Sequence, residues 1–489
     1  MFKKLFRIKS VESILSRAEG AEVKLKKSIT RIELIALGIG AIVGAGIFVI
    51  TGTAASGDIT ALGEVIRAPA GPAITLSFVI TAIGCCFCAL CYAELASMIP
   101  ISGSAYTYSY VGMGEVFAWV IGWCLLLEYT FDAATVSIGW SGYMQQLIEN
   151  VFHIDFPNWL MTPTMVALKD PVTHAAYPHL FGHPVSINLP AMLIIALLSI
   201  LLVRGIHEST RFNSFIVALK LVVVFVFIFV GAFYVKAENW VPFMPYGMKG
   251  VMAGASLIFF AYIGFDALST TSEEVKDTRD LPIGIIGSLA VCTVLYIVVS
   301  GILTAMIPYR LLNTPDPVAT ALYYVGQNFL ASYIVSVGAV IALISTLLVF
   351  LMGQPRIIFS MARDGFFPKG LAKVHPKYRT PYRPTIVSGI VVMLLAGFGD
   401  LTSVAALCNA GTLVAFMMVC LSVIILRKKK PDVPRRFRVP FVPLIPILGM
   451  VVCAALFGAL PRGAHITFVI WTVAGLVIYF AYGIRHTRY

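Results

Sequence analysis

The chain has 489 residues, of which 59% are hydrophobic and only 12% are charged. Soluble globular domains carry about 25% charged residues, so the composition excludes them and predicts an all-α polytopic membrane protein. The net charge of +12 does not indicate nucleic-acid binding, because most basic residues fall on one side of the predicted membrane.

Twelve apolar runs are candidates to cross a bilayer, which takes about 20 helical residues. When the N-terminus is placed in the cytoplasm, only six Lys and Arg residues fall in the outer loops. This asymmetry predicts that both termini are cytoplasmic. The runs cover residues 31–53, 72–98, 115–144, 188–203, 212–235, 250–272, 283–307, 329–353, 385–398, 401–426, 441–460 and 464–484.

The first run contains four glycines within nine positions, from Gly38 to Gly46. Each costs a helix about 1 kcal/mol relative to Ala, and in lipid a broken helix is tolerated only where its freed backbone groups line a cavity. Residues 43–46 therefore predict a break that binds a carboxylate at the outer half-helix and an ammonium at inner carbonyls. A small-residue helix-packing face is the alternative.

The second and third runs carry cysteines and acids. The nine cysteines all fall in apolar runs, so we expect packing residues rather than a disulfide framework or a metal site, including around residues 85–91. The polar stretch 101–108 is expected to follow the membrane surface or plug the inner vestibule. Glu128 and Asp132 lie deep in the third run.

The segments outside the runs predict little chemistry. The first 30 residues lack the apolar region of a signal peptide. The outer loop at 145–185 holds four of the eight histidines, His153, His174, His179 and His183, and we expect solvated surface residues there. The absence of a Walker-A sequence excludes an ATP-driven motor within this chain.

Lys220 lies more than two turns inside the fifth run. A lone ammonium within a membrane costs several kcal/mol unless it is paired, hydrated or deprotonated. The position therefore predicts a proton carrier, and snorkelling to the inner headgroups is the alternative.

The sixth run repeats the interruption of the first, with Gly264 and Asp266 inside an apolar stretch that leads to Glu273-Glu274. Two interrupted helices, five runs apart and of opposite direction, are typical of inverted repeats around a central transport site. The pattern favours a binding break in the first run. The eighth run contains Ser345-Thr346, and only Gly399-Asp400 separates the ninth and tenth.

Several motifs occur in a fixed order from about residue 28 to the end. They are the Gly-rich first run, Tyr92-Ala93-Glu94-Leu95, Gly122-Trp123-x-x-Leu126-Leu127-Glu128-Tyr129, Gly139-Trp140-Ser141-Gly142-Tyr143, Phe260-Ala261-Tyr262-Ile263-Gly264-Phe265-Asp266 with Glu273-Glu274-Val275-Lys276, and Arg356-x-x-Phe359-x-Met361-Ala362-Arg363-Asp364-Gly365. The chain thereby resembles the amino acid–polyamine–organocation superfamily and, within it, the cationic amino acid transporter family and its bacterial relatives. The resemblance implies a LeuT-like five-plus-five inverted repeat with broken helices 1 and 6.

That resemblance implies four regions: a cytoplasmic segment at 1–30, repeats at 31–235 and 250–426, and two added helices at 441–489. It also implies that the substrate carboxylate meets backbone N–H groups and its amino group meets carbonyls, with Phe260 as an aromatic gate and Glu128 as the partner of a cationic side chain. The implied substrate residues are Ala41, Ile42, Val43, Gly44, Ala45, Gly46, Phe259, Phe260, Ala261, Ile263, Cys124 and Glu128, with Tyr129 beside them.

The resemblance further implies that Lys220 faces the broken first run in place of a sodium ion. Lys220 and Asp266 are thus the candidate proton carriers, whereas Ser345-Thr346 resembles the hydroxyl pair of sodium-coupled relatives. We expect proton-coupled uptake of cationic or small neutral L-amino acids across the plasma membrane, without enzyme activity, cofactor, metal or nucleic acid. Membrane lipids are expected partners; oligomeric state and accessory subunits stay open. An exchanger, a membrane-embedded transferase and a non-transporting receptor are the alternatives.

Overall fold

The computed structural model describes residues 7–8, 29–59, 65–99, 104–169, 175–205, 210–272 and 275–487. The predicted N-terminal segment therefore lies almost wholly outside the described residues. His174 and the pair Glu273-Glu274 also lie outside them.

The described chain is mostly helical, with two short antiparallel hairpins. The hairpins are β1 (Asp58–Ile59) with β2 (Val65–Arg67), and β3 (His179–Leu180) with β4 (His183–Pro184). The helices are α1 (Arg31–Ile42), α2 (Thr51–Ser56), α3 (Ile74–Met98), α4 (Ser104–Gly112), α5 (Glu115–Phe152), α6 (Thr164–Lys169), α7 (Leu189–Arg204), α8 (Thr210–Ala232), α9 (Gly247–Ile258), α10 (Asp280–Met306), α11 (Pro317–Tyr324), α12 (Val337–Asp364), α13 (Tyr382–Phe398), α14 (Leu401–Lys429), α15 (Leu444–Gly458), α16 (Arg462–Ile478) and α17 (Ile484–His486).

Nine helical segments of the described chain are long and apolar enough to cross a membrane. Three shorter apolar helices, α7, α13 and α15, occupy the positions of the remaining predicted runs. The composition-based prediction of a polytopic helical membrane protein is therefore confirmed.

Apolar side chains lie both inside the bundle and on its outer surface. Phe227 and Leu343 are fully enclosed, whereas Leu193 and Val473 on α7 and α16 are more than half exposed. In lipid, exposed apolar residues are favourable and helices associate through small residues. Gly338 illustrates this, since a Cβ there would lie 2.2 Å from the side chain of Val223.

The ends of α1 and α10 are tied together at the end of the bundle that carries most basic residues, hereafter the basic end. Thr30 and Glu33 form a capping box at the start of α1, with the Thr30 N–H 2.8 Å from Glu33 Oε2. Arg31 Nε donates to Asp280 Oδ1 at 2.9 Å. These contacts fix where the first helix enters the bundle.

Two connections bear directly on the sequence predictions. The stretch predicted to follow the membrane surface or plug the inner vestibule forms α4 from Ser104 onward, and its residues are mostly buried; residues 100–103 lie outside the described chain. The short turn between α13 and α14 has Asp400 as N-cap, accepting from the Ser403 N–H at 3.0 Å and from Lys169 Nζ at 2.8 Å.

Candidate functional site

The first helix is interrupted where the glycines predict. Helix α1 ends at Ile42, Val43 is extended with φ −74° and ψ 100°, and a π-helix follows from Gly46 to Ile50 before α2. In the described chain, no protein acceptor bonds to the N–H groups of Gly44, Ala45 or Gly46. The interruption thus presents backbone donors inside the bundle.

A second interruption lies between α9 and α10. Helix α9 ends at Ile258, a 3-10 turn covers Phe259–Tyr262, and another covers Asp266–Thr271. Between the turns, Ile263 is extended and Gly264 has φ +120°. Only glycine adopts that conformation readily, so the helix is interrupted there.

The two interruptions pack against each other without intervening side chains. A Cβ added at Gly46 would lie 2.3 Å from the Cα of Ala261, and one added at Gly264 would lie 2.9 Å from the carbonyl of Ala41. Both close contacts require glycine, because the neighbouring atoms belong to the backbone and cannot move aside as a flexible side chain could.

Side chains from other helices hydrogen-bond to the freed carbonyls. The Tyr296 hydroxyl on α10 lies 2.8 Å from the carbonyl oxygens of both Ile42 and Ala261. Asn409 Nδ2 on α14 donates to the carbonyls of Ser256 and Leu257 at 2.8 and 2.9 Å, at the end of α9. These bonds replace those lost by the broken helices.

Lys220 enters the first interruption from α8 and is fully buried. Its Nζ donates to the carbonyl oxygens of Gly40 and Val43 at 2.7 and 3.0 Å, and to Thr346 Oγ1 at 2.9 Å. The structure therefore places Lys220 against the broken first run, as the resemblance implies. A snorkelling Lys220 would instead reach the headgroups.

The two adjacent hydroxyl residues on α12, Ser345 and Thr346, have different hydrogen-bond partners. Thr346 Oγ1 accepts from Lys220 and donates to the carbonyl of Ala342 at 3.3 Å, whereas Ser345 bonds, among the described residues, only to that same carbonyl, at 3.0 Å. A Cβ at Gly44 would lie 2.9 Å from Thr346. The Lys220 ammonium thus occupies the space beside Thr346.

Three buried carboxylates lie near the interruptions. Glu128 and Asp132 are one turn apart on α5, and each has one oxygen with no hydrogen bond in the described chain. The other Asp132 oxygen accepts from Cys408 Sγ at 3.2 Å. Asp266 Oδ1 accepts from the Gly264 N–H at 3.1 Å, while its Oδ2 makes no hydrogen bond among described residues.

The other predicted substrate residues are buried. Phe260 lies in the 3-10 turn of the second interruption and is 5% exposed. Cys124 is enclosed where α5 meets α14, its carbonyl 3.2 Å from a Cβ placed at Gly411. Tyr129 stacks edge-on against Phe350 with ring centroids 5.9 Å apart.

Sequence reasoning missed Tyr296 and Asn409. Both are polar residues within long apolar runs, which is the property that singled out Lys220. Their uncharged side chains cost less to bury and so gave a weaker indication.

The C-terminal turn of α2, the second half of the interrupted first span, is capped by a buried guanidinium. Arg67 Nη2 donates to the carbonyl of Thr53 in α2 at 2.6 Å, and the residue is only 5% exposed. Burial lowers the pKa of Arg67 to about 10, although Asp58 and Asp400 act in the opposite direction. A cation at a helix C-terminus is favourable.

Among the described residues, no group of three or more His, Cys, Asp or Glu side chains is placed to hold a metal ion. The thiols of Cys88 and Cys453 lie 3.5 Å apart between α3 and α15. These buried thiols pack the helices together.

Comparisons with known proteins place these features in a family. The amino acid permease family matches residues 29–482. The chain is 45% identical over 484 residues to a methylthioribose transporter of Bacillus subtilis, covering 99% of this chain and 98% of that protein. It is 44% identical over 487 residues to the branched-chain amino acid permease BcaP of the same organism, with the same coverage. It is 35% identical over 437 residues to human cationic amino acid transporter 4, covering 88% and 64%.

Proposed function

Because the chain belongs to the amino acid permease family, we propose that it is a secondary active transporter that couples the uptake of L-amino acids to protons. The observation that carries the coupling is the contact between the Lys220 ammonium and the interrupted first helix. Transport itself is supported by relatives named as permeases and transporters.

The backbone of the first interruption suits a substrate carboxylate. The N–H groups of Gly44, Ala45 and Gly46 lack acceptors in the described chain, and they lie at the positive end of the half-helix that follows. The substrate amino group would share nearby carbonyls such as that of Ile42, because each carbonyl has two lone pairs. Glu128 would receive a cationic side chain.

Lys220 provides a physical route to proton coupling. Its charged hydrogen bonds join α1 to α12 through Thr346, and bonds from a charged donor are about twice as strong as neutral ones. Loss of the proton would weaken them and release the end of α1 next to the substrate. Sodium coupling is disfavoured, because the ammonium already lies 2.9 Å from Thr346 Oγ1.

The proposal includes a membrane topology. The three shorter apolar helices join the nine longer segments to give twelve spans, of which the first ten form two inverted repeats of five. The basic end faces the cytoplasm under the positive-inside rule, with both termini there and the plasma membrane as the host membrane.

The relatives favour two substrate classes. The first class is amino acids with cationic or branched-chain side chains, because two of the relatives are named as transporters of them. Methylthioribose is the second candidate, since a transporter named for it is 45% identical over almost the whole chain. An exchange mode, in which uptake needs internal substrate, is the alternative to proton symport.

Reconstitution in liposomes tests this proposal. Uptake of labelled arginine, alanine, leucine and methylthioribose is followed under an inward proton gradient without sodium, for the wild type, Lys220→Ala and Lys236→Ala. Lys236 is exposed, outside the site, and controls for the loss of one lysine. We expect the proton gradient to drive accumulation in the wild type and in Lys236→Ala but not in Lys220→Ala. The Lys220→Ala variant should still exchange substrate in a counterflow assay.

Three results would contradict the proposal. A sodium requirement, or accumulation that persists in Lys220→Ala, would remove Lys220 as the proton carrier. Uptake only into preloaded liposomes would replace symport with exchange.

A further inference from the structure

Three arginines surround a small cavity at the basic end of the bundle. Its volume is about 150 Å³, and its lining is Arg427, Pro431, Arg435 and Arg438. Arg427 lies in the last turn of α14, and the others follow in the connection to α15. A water molecule occupies about 30 Å³ in the liquid, so the cavity has the volume of about five water molecules. That is enough for a phosphate group, which has one phosphorus and four oxygen atoms.

A single carboxylate pairs with these arginines in the described chain. Glu94, at the end of α3, is 1% exposed and lies 2.6 Å from Arg427 Nη2 and 3.2 Å from Arg435 Nε. The Val439 N–H also donates to it, at 2.7 Å. Arg438 has no carboxylate within ion-pair distance among the described residues, so positive charge remains in excess at the cavity.

Arg435 is held rigidly by the backbone. Its Nη1 donates to the carbonyls of Pro431 and Val433, and its Nη2 to those of Leu426 and Lys430, at 2.9 to 3.2 Å. Burial lowers the pKa of the Arg435 guanidinium. The side chain is only 3% exposed, and its Nε lies 3.2 Å from Glu94 Oε1, so Arg435 contributes buried positive charge to the cavity wall while its N–H groups contact the protein itself.

We propose that this cavity binds a phosphate group, carried either by an anionic phospholipid or by a free phosphate ion. Arginine suits phosphate because its planar fork offers parallel donors, and basic pockets between membrane helices bind anionic headgroups. The adjacent helix α15 exposes Leu444, Ile447 and Val451, which gives acyl chains an apolar surface.

The position of Glu94 gives the site a structural consequence. Glu94 connects α3 to α14 and to the segment before α15 through its arginine partners. A bound phosphate would offset the excess charge around this carboxylate and stabilise the junction of the three helices. The cavity does not depend on which substrate the protein transports.

The test measures the thermal transition of the purified full-length protein in detergent during titration with phosphatidylglycerol, with zwitterionic phosphatidylcholine or with inorganic phosphate. The variants are Arg438→Ala, Arg438→Lys and Arg436→Ala. Arg436 is the matched control, since it pairs with Asp277 at 3.1 Å and does not line the cavity.

We expect phosphatidylglycerol to stabilise the wild type and Arg438→Ala to weaken its apparent affinity about tenfold, with Arg438→Lys between them and Arg436→Ala within about twofold of the wild type. If inorganic phosphate gives the same variant pattern and the lipid does not, the site holds and its ligand is free phosphate. Equal shifts in all variants, or no difference between phosphatidylglycerol and phosphatidylcholine when inorganic phosphate is also without effect, would overturn the proposal.

Discussion

The side-chain nitrogen of Lys220 lies 2.9 Å from the hydroxyl oxygen of Thr346, and the same nitrogen donates to two carbonyls of the interrupted first helix. One charge therefore joins α8, α12 and the end of α1. A change in that charge alters three helices at once, which is the physical basis of the coupling proposed for this chain.

Replacing Thr346 by Val removes one acceptor of the Lys220 ammonium while keeping a similar shape. A hydrogen bond to a charged group contributes about 1.5–3 kcal/mol, so proton-driven uptake is expected to fall about tenfold or more. Ser345→Ala is the control, since the hydroxyl of Ser345 donates to the carbonyl of Ala342 within its own helix. Liposome uptake with equal reconstituted protein measures both; equal losses would argue against a special role for Thr346.

Gly46→Ala is expected to lower the transport rate. The new methyl group would lie 2.3 Å from the Cα of Ala261, and forcing apart two packed backbones costs about 1–3 kcal/mol or more, which corresponds to a loss of about fivefold or more. Gly458→Ala has nothing within 4 Å of the added carbon and should transport normally. Normal uptake by Gly46→Ala would show that the interruptions need not touch.

Tyr296→Phe leaves the carbonyls of Ile42 and Ala261 without their hydroxyl partner. An unsatisfied buried polar group costs about 1–3 kcal/mol, so the thermal midpoint in detergent should fall. Tyr324→Phe, at an exposed tyrosine, should leave it unchanged. An unaltered midpoint for Tyr296→Phe would indicate that water replaces the hydroxyl.

Glu128→Gln separates a substrate role from a structural one. Its Oε2 makes no hydrogen bond in the described chain and the residue is 1% exposed, so a guanidinium could pair with it. Removing one partner of a buried charge pair costs about 2–5 kcal/mol, and arginine uptake should fall at least tenfold more than alanine uptake. Equal reductions for both substrates would contradict the cation role.

The stability of the protein is expected to depend on pH through Asp316, which lies outside the membrane-spanning segments. Burial raises the pKa of this carboxyl to about 7, a rise that Glu149 reinforces and the hydroxyls of Thr314 and Thr320 oppose. An unfolded aspartate has a pKa of about 3.9, so as the pH rises from about 4 to 7 the unfolded chain loses its proton first. The contribution of Asp316 to stability should therefore decrease by about 4 kcal/mol across that window.

Thermal midpoints in detergent between pH 4.5 and pH 8 measure this effect. The wild type should lose stability toward pH 7 relative to Asp316→Asn, whose amide does not titrate. Parallel profiles for the two proteins would show that Asp316 does not contribute.

Local composition was sufficient to predict several elements. The glycines from Gly38 to Gly46 place the first interruption, because they disfavour helix within a lipid-length run. Gly264 and Asp266 place the second in the same way. The tight turn at Gly399-Asp400 also agrees with the structure, since α13 ends at Phe398 and α14 begins at Leu401.

Long-range partners depend on how the helices pack and could not be inferred from spacing. The sequence by itself determined that the chain is a helical membrane protein, where its first and sixth runs break and that Lys220 is buried, because these follow from local hydropathy and glycine content. Only the tertiary structure decided that Lys220 bonds to Gly40, Val43 and Thr346. It also decided that Tyr296 hydrogen-bonds to both interruptions and that Glu94 pairs with two arginines. Each of those contacts joins residues more than 30 positions apart, and their hydrogen-bond geometry exists only after the helices have packed.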